Sequence, residues 1–213
     1  WETETMEHDA TSPTQRYIAF EGVEGAGKST VADRLAAHLE AQGQTVVQVR
    51  EPGGTDVGEH IREILLDGEH TPVPRAEAAL FAAARAHLVA EKVIPALAAG
   101  SWVISDRSAY SSLAYQAAGR GLALDDIRRL NDIAIGGLWP GVVVLLRTDT
   151  ETGLSRQEIG DRIGNESGAF HRTVAEAFDA LADAEPDRFV VIDASRPLER
   201  VVADVLEALD VVT

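Results

Sequence analysis

The run Gly22-Val23-Glu24-Gly25-Ala26-Gly27-Lys28-Ser29-Thr30 constrains this chain more than any other. Its spacing is G-x-x-x-x-G-K-[ST], that of a loop wrapped around nucleotide phosphates. Residues 17–20 read as a short buried strand before it. Residues 31–39 read as a helix after it, with apolar side chains at helical spacing. The chemistry requires this order. Glycines let backbone N–H groups turn inward onto anionic oxygens at a helix N-terminus. Lys28 adds a cation at the outer phosphates, and the Ser29 hydroxyl is a ligand for Mg²⁺. A chance glycine-rich turn would lack the flanking strand and helix.

Strand-like and helical runs alternate over the rest of the chain. Short β-branched runs at 45–49, 102–105, 142–146 and 189–192 join the first strand. Helical patterns cover 28–42, 57–66, 75–98, 111–118, 125–135, 168–184 and 198–209, and a further helix starts over 150–156. Such βα alternation predicts an α/β fold of the P-loop NTPase type: a five-stranded parallel sheet, helices on both faces, and ligands at the strand C-terminal ends. Residues 16–213 read as one domain. Residues 156–167, with two glycines and mixed charges, read as a short lid. Residues 1–15 are polar and aperiodic and read as a disordered tail. Met6 is the only methionine and reads as the native start, which leaves residues 1–5 foreign to it.

Composition excludes several function classes. A net charge of −16 argues against a nucleic-acid backbone or an anionic membrane as partner. The absence of cysteine removes thiolate catalysis and disulfides and suits a reducing cytoplasm. No apolar run is long enough for a membrane-spanning helix. His38, His60, His70, His87 and His171 show no metal-ligand spacing and read as surface or structural.

Two further runs sit where strands end: Arg50-Glu51-Pro52-Gly53-Gly54-Thr55 and Asp106-Arg107-Ser108. In a parallel sheet both fall on the edge that carries the phosphate loop. Lys28, Arg50 and Arg107 then surround one crevice. The surplus arginines point to a second phosphorylated ligand, since guanidinium forks match phosphate geometry. Asp106 stands where a carboxylate can hold Mg²⁺ directly or through water. Phe81 and Arg85 are four apart on one helix face and can stack a base and bond its edge, although core packing is the commoner use of such a phenylalanine.

Residues 20–30, the Arg50–Thr55 run, Phe81-Ala-Ala-Ala-Arg85, and Asp106-Arg107 followed by Ser111-Ser112-x-Ala114-Tyr115-Gln116 occur in this order, and together they resemble the bacterial thymidylate kinases. The resemblance runs from about Tyr17 to the C-terminus. It implies transfer of the γ-phosphoryl group of ATP to dTMP, with Mg²⁺ as cofactor. It assigns Gly22, Gly25, Ala26, Gly27, Lys28, Ser29, Thr30 and Arg156 to ATP, and Ser29 and Asp106 to the metal. It assigns Glu24 to the acceptor's sugar 3′-hydroxyl, Arg107 and Arg50 to the acceptor phosphate, Phe81 to stacking on thymine and Arg85 to a thymine carbonyl. Ser112 and Gln116 then lie at the base, and Tyr115 under the sugar. Arg162 is expected at the transferring phosphoryl group. The lid departs from the family pattern, because only Arg156 and Arg162 are available where relatives with this loop usually carry several arginines. The turn 193–197 would lie against adenine. The resemblance also implies a homodimer through helices and a cytoplasmic enzyme. Two alternatives remain at this stage: a kinase for another nucleotide, or a P-loop switch ATPase. The chain lacks the Asn-Lys-x-Asp of GTPases.

Overall fold

In a computed structural model, residues 13–68, 70–148 and 161–210 are described. Five strands form one parallel sheet: β1 (Tyr17–Glu21), β2 (Val46–Arg50), β3 (Trp102–Asp106), β4 (Val142–Arg147) and β5 (Phe189–Asp193), in the order β2-β3-β1-β4-β5. The register pairs Phe20 with Asp106 and with Val144, and Arg50 with Asp106. The C-terminal ends of the three strands on the β2 side of the sheet therefore lie side by side. The helices are α1 (Lys28–Ala41), α2 (Asp56–Leu66), α3 (Pro74–Leu88), α4 (Ile94–Ala98), α5 (Ala109–Ser112), α6 (Leu124–Ile135), α7 (Gly168–Ala184) and α8 (Leu198–Asp210).

Strand residues alternate between two cores because successive side chains point to opposite faces. Ile18, Phe20, Ile104, Val144 and Leu146 pack on one face against Val31 and Leu35 of α1 and Val201 and Val205 of α8. Tyr17 and Val103 face the other side, toward α3 and α4, and Val143 and Leu145 face α5, α6 and α7. Each such fully buried aliphatic side chain contributes about 1.5–3 kcal/mol of transfer free energy.

The helical run expected over 75–98 is continuous, but it contains a π-helical turn at Val89–Val93 between α3 and α4. The run expected from residue 111 starts earlier, at Ala109, and passes into a π-helical segment at Leu113–Gly119. Periodicity near 3.6 does not separate α from π turns, so the register shift was invisible in the pattern. The helix start expected over 150–156 and the tail at 1–12 lie outside the described residues; of the lid, residues 161–167 are described.

Candidate active site

Gly22 leaves β1 at φ +139°, and a Cβ there would stand 2.6 Å from the Leu146 carbonyl oxygen. Only glycine fits this first bend of the loop. Gly27, at φ +90°, caps α1 without a side-chain hydrogen bond, and the first turn of α1 holds no acidic residue. No carboxylate of the helix's own first turn competes for its N–H groups and positive dipole end, which suits an anion. Lys28 is buried and donates from Nζ to the carbonyls of Gly22 (3.1 Å) and Val23 (2.8 Å). Burial, with Arg107 next, brings its pKa down to about 8. The Ser29 hydroxyl donates to Asp106 Oδ2 at 2.5 Å.

Arg107 follows β3 at φ +75°, the one non-glycine residue with positive φ among those described. Such a conformation needs enforcement from its surroundings. Its N–H donates to the Phe20 carbonyl at 3.0 Å. On the next residue, the Ser108 hydroxyl donates to buried Glu21 at 2.7 Å; the Ser111 N–H and hydroxyl also donate to Glu21. The Arg107 guanidinium donates to Glu24 (2.9 Å), Ser111 Oγ (3.3 Å) and the Gly22 carbonyl (3.3 Å), and lies 5.0 Å over the Tyr115 ring. The Tyr115 hydroxyl is 2.8 Å from both Glu24 oxygens. Burial pushes the Glu24 carboxyl up, but Arg107, His171, Lys28 and Tyr115 together outweigh it and hold the group far below the usual carboxylate range. Glu24 is a carboxylate under all ordinary conditions.

At the end of β2, Arg50 Nη2 donates toward both Glu59 oxygens at 2.9 Å, and Arg62 donates to the Pro52 carbonyl at 2.8 Å. The Glu51–Pro52 bond is cis. Arg85 is fully buried. Nε donates to Glu51 (2.5 Å), Nη1 to Ser112 Oγ (3.1 Å) and Asn131 Oδ1, and Nη2 to the Ser108 carbonyl (3.0 Å). Four of its five N–H groups are thus occupied by the protein. Burial raises the Glu51 carboxyl to about 7, against the opposing pull of Arg85.

These elements enclose one cavity of about 300 Å³. Lys28, Ser29 and Asp106 line it together with Phe81, Tyr115 and Gln116, and Arg50, Arg62, Arg85 and Arg107 are also on its wall. The cavity thus brings an anion-suited helix terminus, two aromatic rings and four arginines onto one wall.

A sequence model described as thymidylate kinase matches residues 20–205. The chain belongs to the thymidylate kinase family.

It is 42% identical over 199 residues to the thymidylate kinase of Halalkalibacterium halodurans, covering 91% of this chain and 95% of that protein. It is 50% identical over 190 residues to that of Bifidobacterium longum, covering 87% and 92%. The crystal structure of thymidylate kinase from Ehrlichia chaffeensis superposes with a TM-score of 0.77 at 29% identity, covering 92% of this chain and 98% of that one.

With the thymidylate kinase frame in place, the expected site residues fall into groups. Glu24, Gly25, Lys28, Ser29, Arg50, Phe81, Arg85, Asp106, Arg107, Tyr115 and Gln116 all line the cavity. Gly22, Ala26 and Gly27 frame the loop, and Thr30 is exposed on the first turn of α1. Ser112 is fully buried and reaches the site only through Arg85. Arg162 is not on the cavity wall. Its guanidinium is bound to Glu77 (2.7 Å) and to the Leu65 carbonyl (2.7 Å), because a buried carboxylate on α3 competes for it. Arg156 lies outside the described residues. The sequence reading missed Arg62, which α2 brings to the wall three positions after Glu59, and His171, which lies 3.2 Å from Glu24. Helical spacing from the Arg50–Thr55 run could have flagged Arg62. Nothing local marked His171.

Proposed function

We propose that this chain transfers the γ-phosphoryl group of ATP to the 5′-phosphate of dTMP, giving dTDP and ADP. The observation that carries this reading is the single cavity shared by Lys28 at the phosphate loop, the arginine set of Arg107, Arg50 and Arg62, and the Phe81 and Tyr115 rings. An enzyme that only hydrolysed ATP would have no use for the aromatic rings and surplus arginines on that wall.

The reaction makes small covalent demands on the protein. The acceptor phosphate is anionic at neutral pH, so no strong general base is needed. The chain's part is to position two anions and neutralise their charge. The loop N–H groups and Lys28 hold the donor's outer phosphates. Arg107, paired with Glu24 and held over Tyr115, grips the acceptor phosphate, with Arg50 beside it. Phe81 stacks on thymine, Gln116 lies at the base edge, and the remaining N–H of Arg85 faces a thymine carbonyl. Tyr115 closes the space under the sugar, and Glu24 takes the 3′-hydroxyl. Arg162 serves the transferring phosphoryl group once released from Glu77, and Arg156 supports ATP.

Ser29 and Asp106 suit Mg²⁺: their oxygens are 2.5 Å apart, hard, and only two in number, the kind of sparse protein shell that Mg²⁺ uses beside phosphates. When bound, the ion supplies charge neutralisation between the phosphates. Among the described residues no helix is long and apolar enough to cross a membrane. A homodimer in the cytoplasm, free of nucleic acid, completes the proposal, and rests on the family and on the acidic charge.

The test is coupled ADP release with ATP and Mg²⁺ across dTMP, dUMP, UMP, CMP, GMP and no acceptor. Preference for dTMP is the expected result. Preference for another monophosphate overturns the base-site assignments, and acceptor-independent hydrolysis alone overturns the kinase reading.

A further inference from the structure

Glu24 is held from three separate elements. Arg107 reaches its Oε1 from the end of β3, the Tyr115 hydroxyl spans both oxygens from the π-helical segment, and His171 approaches Oε2 from the first turn of α7, with Nδ1 at 3.2 Å. The first two residues touch the acceptor in the proposed function. His171 does not line the cavity. It is completely buried, and neither ring nitrogen has a well-aligned hydrogen-bond partner among the described residues. Burying an imidazole in this way is costly unless the one polar group it faces has a use for it. Its seat is rigid. A Cβ on Gly119 would come within 2.7 Å of the Phe170 ring, and that ring in turn packs edge-on to His171 and tilted against Tyr115.

We propose that His171 is a positioning residue for acceptor recognition, in which Nδ1 fixes the Glu24 carboxylate in the orientation that receives the sugar hydroxyl. The terminal torsion of a glutamate is broad, so the carboxylate orientation comes from its partners. Arg107 alone would turn the carboxylate toward the guanidinium. His171 holds the other oxygen, Oε2, at 3.2 Å, and Glu24 itself stays on the cavity wall. The effect is on the acceptor and not on ATP, because His171 meets the loop at Glu24, while Lys28 is held by the Gly22 and Val23 carbonyls. The proposal rests on the reading of Glu24 as the partner of the 3′-hydroxyl.

The test compares dTMP with 3′-deoxythymidine monophosphate as acceptors, in the wild type, His171→Leu and His171→Asn, with KM for ATP and thermal unfolding measured alongside. Asparagine replaces Nδ1 with an amide nitrogen at nearly the same place. The leucine variant should lose about tenfold in kcat/KM for dTMP, mostly through KM, the lower end of what a polar contact to a charged group is worth. It should fall by no more than about twofold with the 3′-deoxy acceptor, the coupling a double-mutant cycle reads. KM for ATP should not move, and the asparagine variant should recover most of the loss. Equal losses on both acceptors, or an asparagine variant no better than leucine, overturn the role of His171. A wild type that uses both acceptors equally overturns the reading of Glu24 and this proposal with it. If the leucine variant does not fold, His171→Gln, whose amide sits away from Nδ1, takes its place with the same expected acceptor-specific loss.

Discussion

Glu77→Gln should destabilise the protein more than any surface charge change. The Glu77 side chain is only 1% exposed and accepts from Arg120 Nε (3.0 Å), Gln116 Nε2 (3.0 Å) and Arg162 (2.7 Å). Two guanidinium groups, themselves 15% and 8% exposed, depend on it for charge. Glutamine keeps the shape but turns an NH₂ group toward those donors and leaves the cations uncompensated. Breaking a buried pair by removing one partner costs about 3–5 kcal/mol. Arg120 keeps Glu166 at 2.5 Å, which favours the lower end of that range. A loss of about 3 kcal/mol lowers Tm by about 6–12 °C in a domain of this size. Urea unfolding at pH 7, read as a fall in Cm at constant m, measures it. A loss below about 1 kcal/mol, the range of an exposed pair, would refute the reasoning. The pH dependence gives an independent check. Burial pushes the Glu77 carboxyl up, but the bonds from Arg120, Gln116 and Arg162 outweigh it, so its folded value lies below the ordinary 4.5. A depressed folded value gives stability that is present above the unfolded pKa and lost as pH falls through the folded one. The gap between wild type and variant should be full at pH 7 and close below 4.5. A gap unchanged at low pH would mean that packing, not charge, was lost.

Arg107→Ala should cut kcat/KM for the acceptor about a hundredfold, two charge-assisted bonds' worth, while KM for ATP stays nearly constant; equal losses on both ligands would refute its assignment. Gly22→Ala should lower Tm and abolish ATP binding, since its Cβ would stand 2.6 Å from a backbone oxygen at φ +139°; a normal unfolding curve would show that the loop can shift. Because Lys28 is lowered to about 8, its cation is present below that pH and lost above it. kcat/KM for ATP should therefore fall as pH rises through about 8, and a profile flat to higher pH would assign the charge to another group.

The phosphate loop, the parallel sheet and the cations at the strand ends were legible in the sequence because each depends on local order. A glycine spacing, a β-branched run and a residue just past a strand keep their meaning wherever the chain goes next. Lys28, Ser29, Asp106 and Arg107 all line one cavity. Arg85 is a different case. Its position on a helix face was clear, but its saturation by Glu51, Ser112, Ser108 and Asn131 depends on partners as far as 46 residues away. Arg162 was read as a lid cation, yet it pairs with Glu77, 85 positions distant, a competitor that local sequence gave no reason to weigh.

The sequence by itself determined that this chain builds a glycine loop between a strand and a helix at the edge of a parallel sheet, since hydrogen-bonding needs and side-chain periodicity act over a few residues. The motif set carried the family as well. Only the tertiary structure decided which charges neutralise one another. Glu24 and His171 are 147 positions apart and 3.2 Å apart in space. Their pairing follows from α7 packing onto the π-helical segment that carries Tyr115. Electrostatic partnership is set by distance in three dimensions, and the linear order of residues holds no measure of it.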